Sequence, residues 1–150
     1  MRHAALNDMA DALLAASLIA LLALVTITDL RARVIPDWAL IAAVAIATPL
    51  CILADAAALP ERLLSAMGAG GFLLAAVLIR PDGMGLGDVK LVAVLGLYLG
   101  VAVFEALLVA LLAGSIGGAA LLVRHGLAAR TRTIPFAPFL TVGVLVALAS

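Results

Sequence analysis

Charge is what this chain has least of. Lysine, arginine, aspartate and glutamate make up 12% of its 150 residues and sum to zero net charge, where a soluble domain carries about a quarter. Such a chain offers no basic face for nucleic acid. The single cysteine, Cys51, excludes an internal disulfide and a four-cysteine zinc site. His3 and His125 are the only histidines, and neither lies in a paired helical metal motif, which argues against a zinc protease. The serines are Ser17, Ser65, Ser115 and Ser150, and none sits in a nucleophile elbow. Ser115 reads as a residue that hydrogen-bonds within its own helix.

What is present is apolar. Hydrophobic residues make up 67% of the chain, and the mean hydropathy is +1.32. Uncharged runs cover residues 12–28, 38–54, 63–79, 91–104, 106–123 and 133–150. All but the fourth approach the roughly 20 residues that a helix needs to cross a bilayer. No alternating strand pattern occurs, so helices must satisfy the backbone in hydrocarbon. The expected fold is therefore all-α, a polytopic membrane protein with about six transmembrane helices in one domain, 1–150. The first run is too long for the apolar core of a signal peptide, and Asp8 and Asp11 spoil its leading charge, so it reads as a retained span. The fourth run becomes a span of about 27 Å if its helix extends from Asp88 to a turn near Glu105.

Cations divide unevenly between the two sides of such a bundle. Loops after the first, third and fifth spans carry Arg31 and Arg33, Arg80 and Lys90, then Arg124, Arg130 and Arg132. The other side holds only Arg2 and Arg62. By the positive-inside rule the first set is cytoplasmic and both termini face outward. Gly96 and Gly100, Gly114 and Gly118, and the run Gly68-Ala69-Gly70-Gly71 read as places where helices pack closely.

Carboxylates remain as candidates for chemistry. Asp29 ends the first span and Asp88 opens the fourth, both on the cation-rich side. An ionisable group at membrane depth is costly and is a functional candidate by default; the plainer reading makes each a helix cap or a solvated charge. If the two approach within a few ångströms they share one proton, and the ionised member activates water while the protonated one donates to a scissile carbonyl. Gly83, Gly85 and Gly87 leave room beside Asp88 for an extended substrate backbone.

These residues resemble a known family. Gly85-Leu86-Gly87-Asp88 matches the GxGD signature of membrane aspartyl peptidases, and Gly83-Met84-Gly85-Leu86-Gly87-Asp88-Val89-Lys90-Leu91 resembles the type IV prepilin peptidases more than the presenilins. Asp29 followed by Ile35-Pro36-Asp37 is similar to their first catalytic segment. Ile134-Pro135-Phe136-Ala137-Pro138-Phe139 is similar to their late Pro-Phe-Gly-Pro-Phe motif, with Ala137 in place of glycine. The resemblance implies six helices and an aspartic endopeptidase of the bacterial inner membrane. Its substrates are prepilins or pseudopilins, and their short basic leader is cut at the cytoplasmic face.

It implies Asp29 and Asp88 as catalytic. Gly85, Gly87, Lys90, Asp37 and Pro36 are supporting or substrate-binding, and Asp37 is also the alternative partner for Asp88. Asp37 and Asp82 suit a positively charged leader, Lys90 a cytoplasmic anchor or an orienting charge beside Asp88, and Pro135 and Pro138 the start of the last helix. No metal or other cofactor is required, and the implied partners are leader peptides and membrane lipid, with no oligomeric state assigned. Many members carry an insertion with paired cysteines associated with N-methylation. This sequence lacks it, as do the short peptidases of tight-adherence (Flp) pilus systems, so peptidase without methyltransferase activity is expected. The rival readings are a small proton-coupled transporter and a structural subunit of a pilus assembly complex.

Overall fold

The computed structural model describes residues 2–80, 84–125 and 135–150. Asp82, Gly83, Arg130, Arg132 and Ile134 lie outside the described residues, as do the side chains of Arg2, His3 and His125. Six α-helices follow one another: α1 (Arg2–Ala32), α2 (Asp37–Asp55), α3 (Leu59–Ile79), α4 (Leu86–Leu99), α5 (Ala102–His125) and α6 (Ala137–Ala149), with one 3-10 turn (Ala56–Ala58) between α2 and α3. No strand occurs among the described residues. Three stretches are long and apolar enough to cross a bilayer: Leu6–Ala32, Asp37–Ile79, which contains both α2 and α3, and Ala102–Ala120. Large apolar side chains such as Ile19, Leu64, Met67, Leu112 and Ile116 face outward. A protein apolar both inside and out belongs in lipid. The chain is an all-α membrane protein.

α1 shows how the pattern specifies the packing. Leu14, Leu18, Leu21, Leu22 and Val25 are buried, recurring at intervals of three and four along one face. Asp29 falls four residues beyond Val25 on the same inward stripe and is itself only 7% exposed. That face packs on α2 and, at its end, on α6. α4 is the interior helix. Val89, Leu91, Val92, Val94, Leu95, Leu97 and Tyr98 are all buried, and α2, α3 and α5 surround it.

Lipid is as apolar as leucine, so helices in it associate through close packing and hydrogen bonds. Glycine supplies the closeness. A Cβ on Gly96 would overlap the Ala66 backbone of α3, one on Gly70 would lie 2.8 Å from the Ala93 Cβ of α4, and one on Gly143 would overlap the Ala106 carbonyl of α5. Gly71, by contrast, has nothing within 4 Å of such a Cβ. Tyr98 ties three helices together, accepting from the Ser17 hydroxyl at 3.2 Å and donating to the Ala43 carbonyl at 3.1 Å.

α4 ends earlier than its apolar run. Gly100 adopts φ +57°, and its N–H returns to the Gly96 carbonyl at 2.9 Å. The chain reverses there, and Glu105 lies in the first turn of α5 rather than at the end of α4. Left-handed backbone is natural to glycine, which explains why the helix stops at this position. Arg62 donates to the freed carbonyls of Leu97 and Tyr98, and the Glu61 Oε1 accepts from the Val101 N–H at 3.4 Å. At 14 and 13 residues, α4 and α6 reach about 21 and 20 Å, short of the roughly 30 Å hydrocarbon core.

Gly96→Ala should destabilise the bundle by about 1–3 kcal/mol because the α3 backbone must retreat. Gly71→Ala should be neutral or stabilising by up to about 1 kcal/mol. Thermal unfolding of the two variants in detergent compares them directly; equal midpoints would contradict the α3–α4 contact.

Candidate active site

One end of the bundle gathers the polar residues. α1 closes with Arg33 at φ +53°, its N–H bonded to the Asp29 carbonyl at 3.0 Å. This left-handed cap is uncommon for a side chain other than glycine or asparagine. It turns Val34, Ile35 and Pro36 across the end of the bundle toward the first turn of α4. Gly87 is the contact point: a Cβ there would lie 3.2 Å from the Ile35 Cβ. The space beside Gly87 is thus filled by this chain's own isoleucine and not left free for substrate. Gly85 is the more open of the two, its nearest neighbour being the Asp88 Oδ2 at 3.7 Å.

A cavity of about 250 Å³ lies between these segments. Asp29, Arg33, Ile35 and Asp37 line it from the α1–α2 side, and Gly85, Gly87, Asp88 and Lys90 from α4. Residues far apart in sequence, Asp29 and Asp88, therefore face one space. Its size admits several waters.

Each carboxylate is held differently. The Asp29 Oδ2 accepts from the Ala137 N–H, the first residue of α6, at 3.0 Å, in a buried bond. A buried carboxyl without such a donor would be strongly unfavourable. Asp88 is half-buried at the third position of α4, where its Oδ2 accepts from the Gly85 N–H at 3.3 Å. That is the reciprocal half of a capping box, with glycine supplying no side chain for the other half. The Asp88 carboxylate thus also suits the positive end of the α4 dipole.

Asp37 and Lys90 form a pair of their own. The Lys90 Nζ donates to both Asp37 carboxylate oxygens, at 2.8 and 3.0 Å, and both side chains are more than half exposed. Lys90 is thereby directed to α2 and away from the role of an orienting charge on Asp88. Asp37 occupies the first turn of α2 behind Pro36 and makes no capping bond there. An exposed pair of this kind contributes about 1 kcal/mol at most.

The remaining candidates lie elsewhere. Ser115 donates to the Leu111 carbonyl of its own helix at 2.7 Å, and Cys51 is buried. Among the described residues no three histidine, cysteine, aspartate or glutamate side chains gather as metal ligands. Sequence reasoning missed the Ala137 N–H. The Pro-Phe-Ala-Pro-Phe motif was visible, but a backbone donor has no residue signature.

The sequence pattern described as the type IV leader peptidase family matches residues 16–123, which include both Asp29 and Asp88. A prepilin leader peptidase/N-methyltransferase of Bacillus subtilis is 36% identical over 132 residues, covering 86% of this chain and 52% of that protein. The chain thus spans about half the length of this curated relative. No solved structure matches. On a pattern covering well over half of its residues, the chain belongs to the type IV leader peptidase family.

Proposed function

We propose that this chain is a membrane aspartyl endopeptidase that removes the short basic leader of type IV prepilins or pseudopilins, with Asp29 and Asp88 as the catalytic pair. The observation that carries this reading is the meeting of Asp29 and Asp88 on one cavity in a member of a leader peptidase family. Six membrane crossings, with the cavity open to the cytoplasm at the bacterial inner membrane, complete the proposal. The cation distribution supports that orientation. Arg31, Arg33 and Lys90 belong to the cavity end, while Arg62 caps α4 at the opposite end.

The chemistry needs one proton between two carboxylates. The ionised member takes a proton from a water in the cavity, and the hydroxide so formed attacks the scissile carbonyl carbon. The protonated member donates to the carbonyl oxygen, giving a tetrahedral diol. Return of a proton to the amide nitrogen breaks the C–N bond and releases leader acid and pilin amine. The pair then holds one proton again. Like charges in a confined site favour the singly protonated state, which is why two carboxylates serve where one would not.

Asp29→Asn and Asp88→Asn should each lower leader removal by about 10²–10⁴-fold while the protein still inserts in the membrane. Asp37→Asn should cost less than about tenfold, since its carboxylate is engaged by Lys90 at the edge of the cavity. Co-expression with Flp-type prepilins, read as the size shift of the pilin, checks all three. Processing at the wild-type level by either of the first two variants would end this reading. A transporter would show ion flux in liposomes without any cleavage, and a structural subunit would tolerate Asp88→Asn.

The rate should also be bell-shaped in pH, because both the charged and the protonated carboxyl are required. A chelator should leave it unchanged. A rate that rises monotonically with pH, or falls with EDTA, would contradict the shared-proton mechanism.

A further inference from the structure

We infer that the first turn of α6 is a positioning element for Asp29: the Ala137 N–H sets the direction of its carboxylate, and a threonine latch one turn deeper fixes α6 against α1 so that the N–H stays in register. This rests on the reading of Asp29 as one of the catalytic pair.

Among the described residues two side-chain hydrogen bonds join α1 and α6. The upper one is the Ala137 N–H to the Asp29 Oδ2 at 3.0 Å. The lower one is a contact of 2.8 Å between the Thr26 and Thr141 hydroxyls. Thr26 lies three residues before Asp29, and Thr141 lies four residues after Ala137, so the bonds are one helical turn apart on facing surfaces. The Thr141 hydroxyl donates to the Ala137 carbonyl at 3.0 Å, which uses its one proton. Thr26 must then be the donor in the Thr26–Thr141 bond. A directed chain results: Thr26 to Thr141, Thr141 to the Ala137 carbonyl, and the N–H of that same residue to Asp29. Both faces of residue 137 are engaged in it.

The sequence around residue 137 suits this use. N–H groups of a first helical turn have no partner inside the helix. Pro138 has no N–H, and the Leu140 N–H returns to the Phe136 carbonyl at 3.1 Å. The Ala137 N–H is left to point out of the helix, toward α1. Its side chain is 1% exposed and Leu140 and Val144 are fully buried on the same face, so α6 cannot rotate to offer a different donor. The Ala106 carbonyl against Gly143 seats the helix from its other side. Held by these contacts, Asp29 has one oxygen committed to α6 while the residue lines the cavity.

The test removes the N–H and keeps the side chain, and it weakens the Phe136 carbonyl only as an acceptor for the Leu140 N–H. Replacing Ala137 by lactic acid, through nonsense suppression in the full chain, exchanges the amide for an ester. Kinetics use a peptide spanning the leader junction of a type IV prepilin. The expected result is a fall in kcat on the order of tenfold or more, with KM changed less than twofold, because the Ala137 N–H is engaged by Asp29 and not offered to substrate. Thr26→Val and Thr141→Val should each lower kcat severalfold, and the double variant no further than either alone.

An unchanged kcat in the ester variant overturns the proposal, as does a loss that appears in KM alone. If the ester variant does not fold, the threonine variants decide: unchanged kcat in both overturns it, and a shared, non-additive loss supports it. Wild-type protein and Asp29→Asn measured alongside separate the two claims. Failure of the peptidase reading would appear as equal processing by those two proteins, whereas failure of the positioning proposal leaves them far apart.

Discussion

A carboxyl group set on the inward stripe of an apolar helix needs a donor, and in lipid the donor must come from the protein. Asp29 continues the line of Leu18, Leu22 and Val25, so any rotation of α1 that buried the leucines would bury the aspartate too. The Ala137 N–H meets that need. The consequence is architectural: the first and last helices are tied at one end, and the chain that follows α1 must cross that same end to reach α2. The left-handed cap at Arg33 makes the crossing, and Ile35 comes to rest on Gly87. A cavity walled by both segments follows from these constraints.

The two aspartates differ in what holds them. Asp88 is positioned locally, by the third position of its own helix and the Gly85 N–H, so it moves with α4 as a unit. Asp29 is positioned by a residue 108 places away in sequence, and so depends on how the whole bundle is assembled. α4 is buried along most of its length from Leu91 onward and pinned to α3 where Gly96 meets Ala66. The relative placement of the carboxyls therefore rests on contacts between backbones, which yield less than side chains do. Groups fixed in advance of the reaction need no reorganisation during it.

Much of this was legible in the residues. The six apolar runs became six helices, and the GxGD segment and the Asp before Ile35-Pro36-Asp37 reached one cavity because each lies where a run meets a charged loop. What could not be read was geometry set by backbone and by pairs distant in sequence. The α4 run lacks any charge before Glu105, so hydropathy alone carried the helix there; only the conformation of Gly100 ends it. Lys90 sits two residues from Asp88, but side chains two apart point to different faces of a helix. It finds Asp37 instead. Gly87 was legible as a site of close approach, though not as one filled by the chain itself.

The short helices have a bearing on the proposed chemistry. α4 is tied at its far end to Arg62, a cation suited to the opposite boundary. From there 14 residues reach about 21 Å of a hydrocarbon layer of about 30 Å. α6, at 13 residues, begins against Asp29, one of the residues that line the cavity. The N-termini of the two short helices each meet one of the carboxyls, α4 through the Gly85 N–H and α6 through the Ala137 N–H. On the proposed orientation, helices too short to span the layer set their N-terminal N–H groups, and the carboxyls those groups hold, within it, which is how the proposed hydrolysis fits an apolar protein.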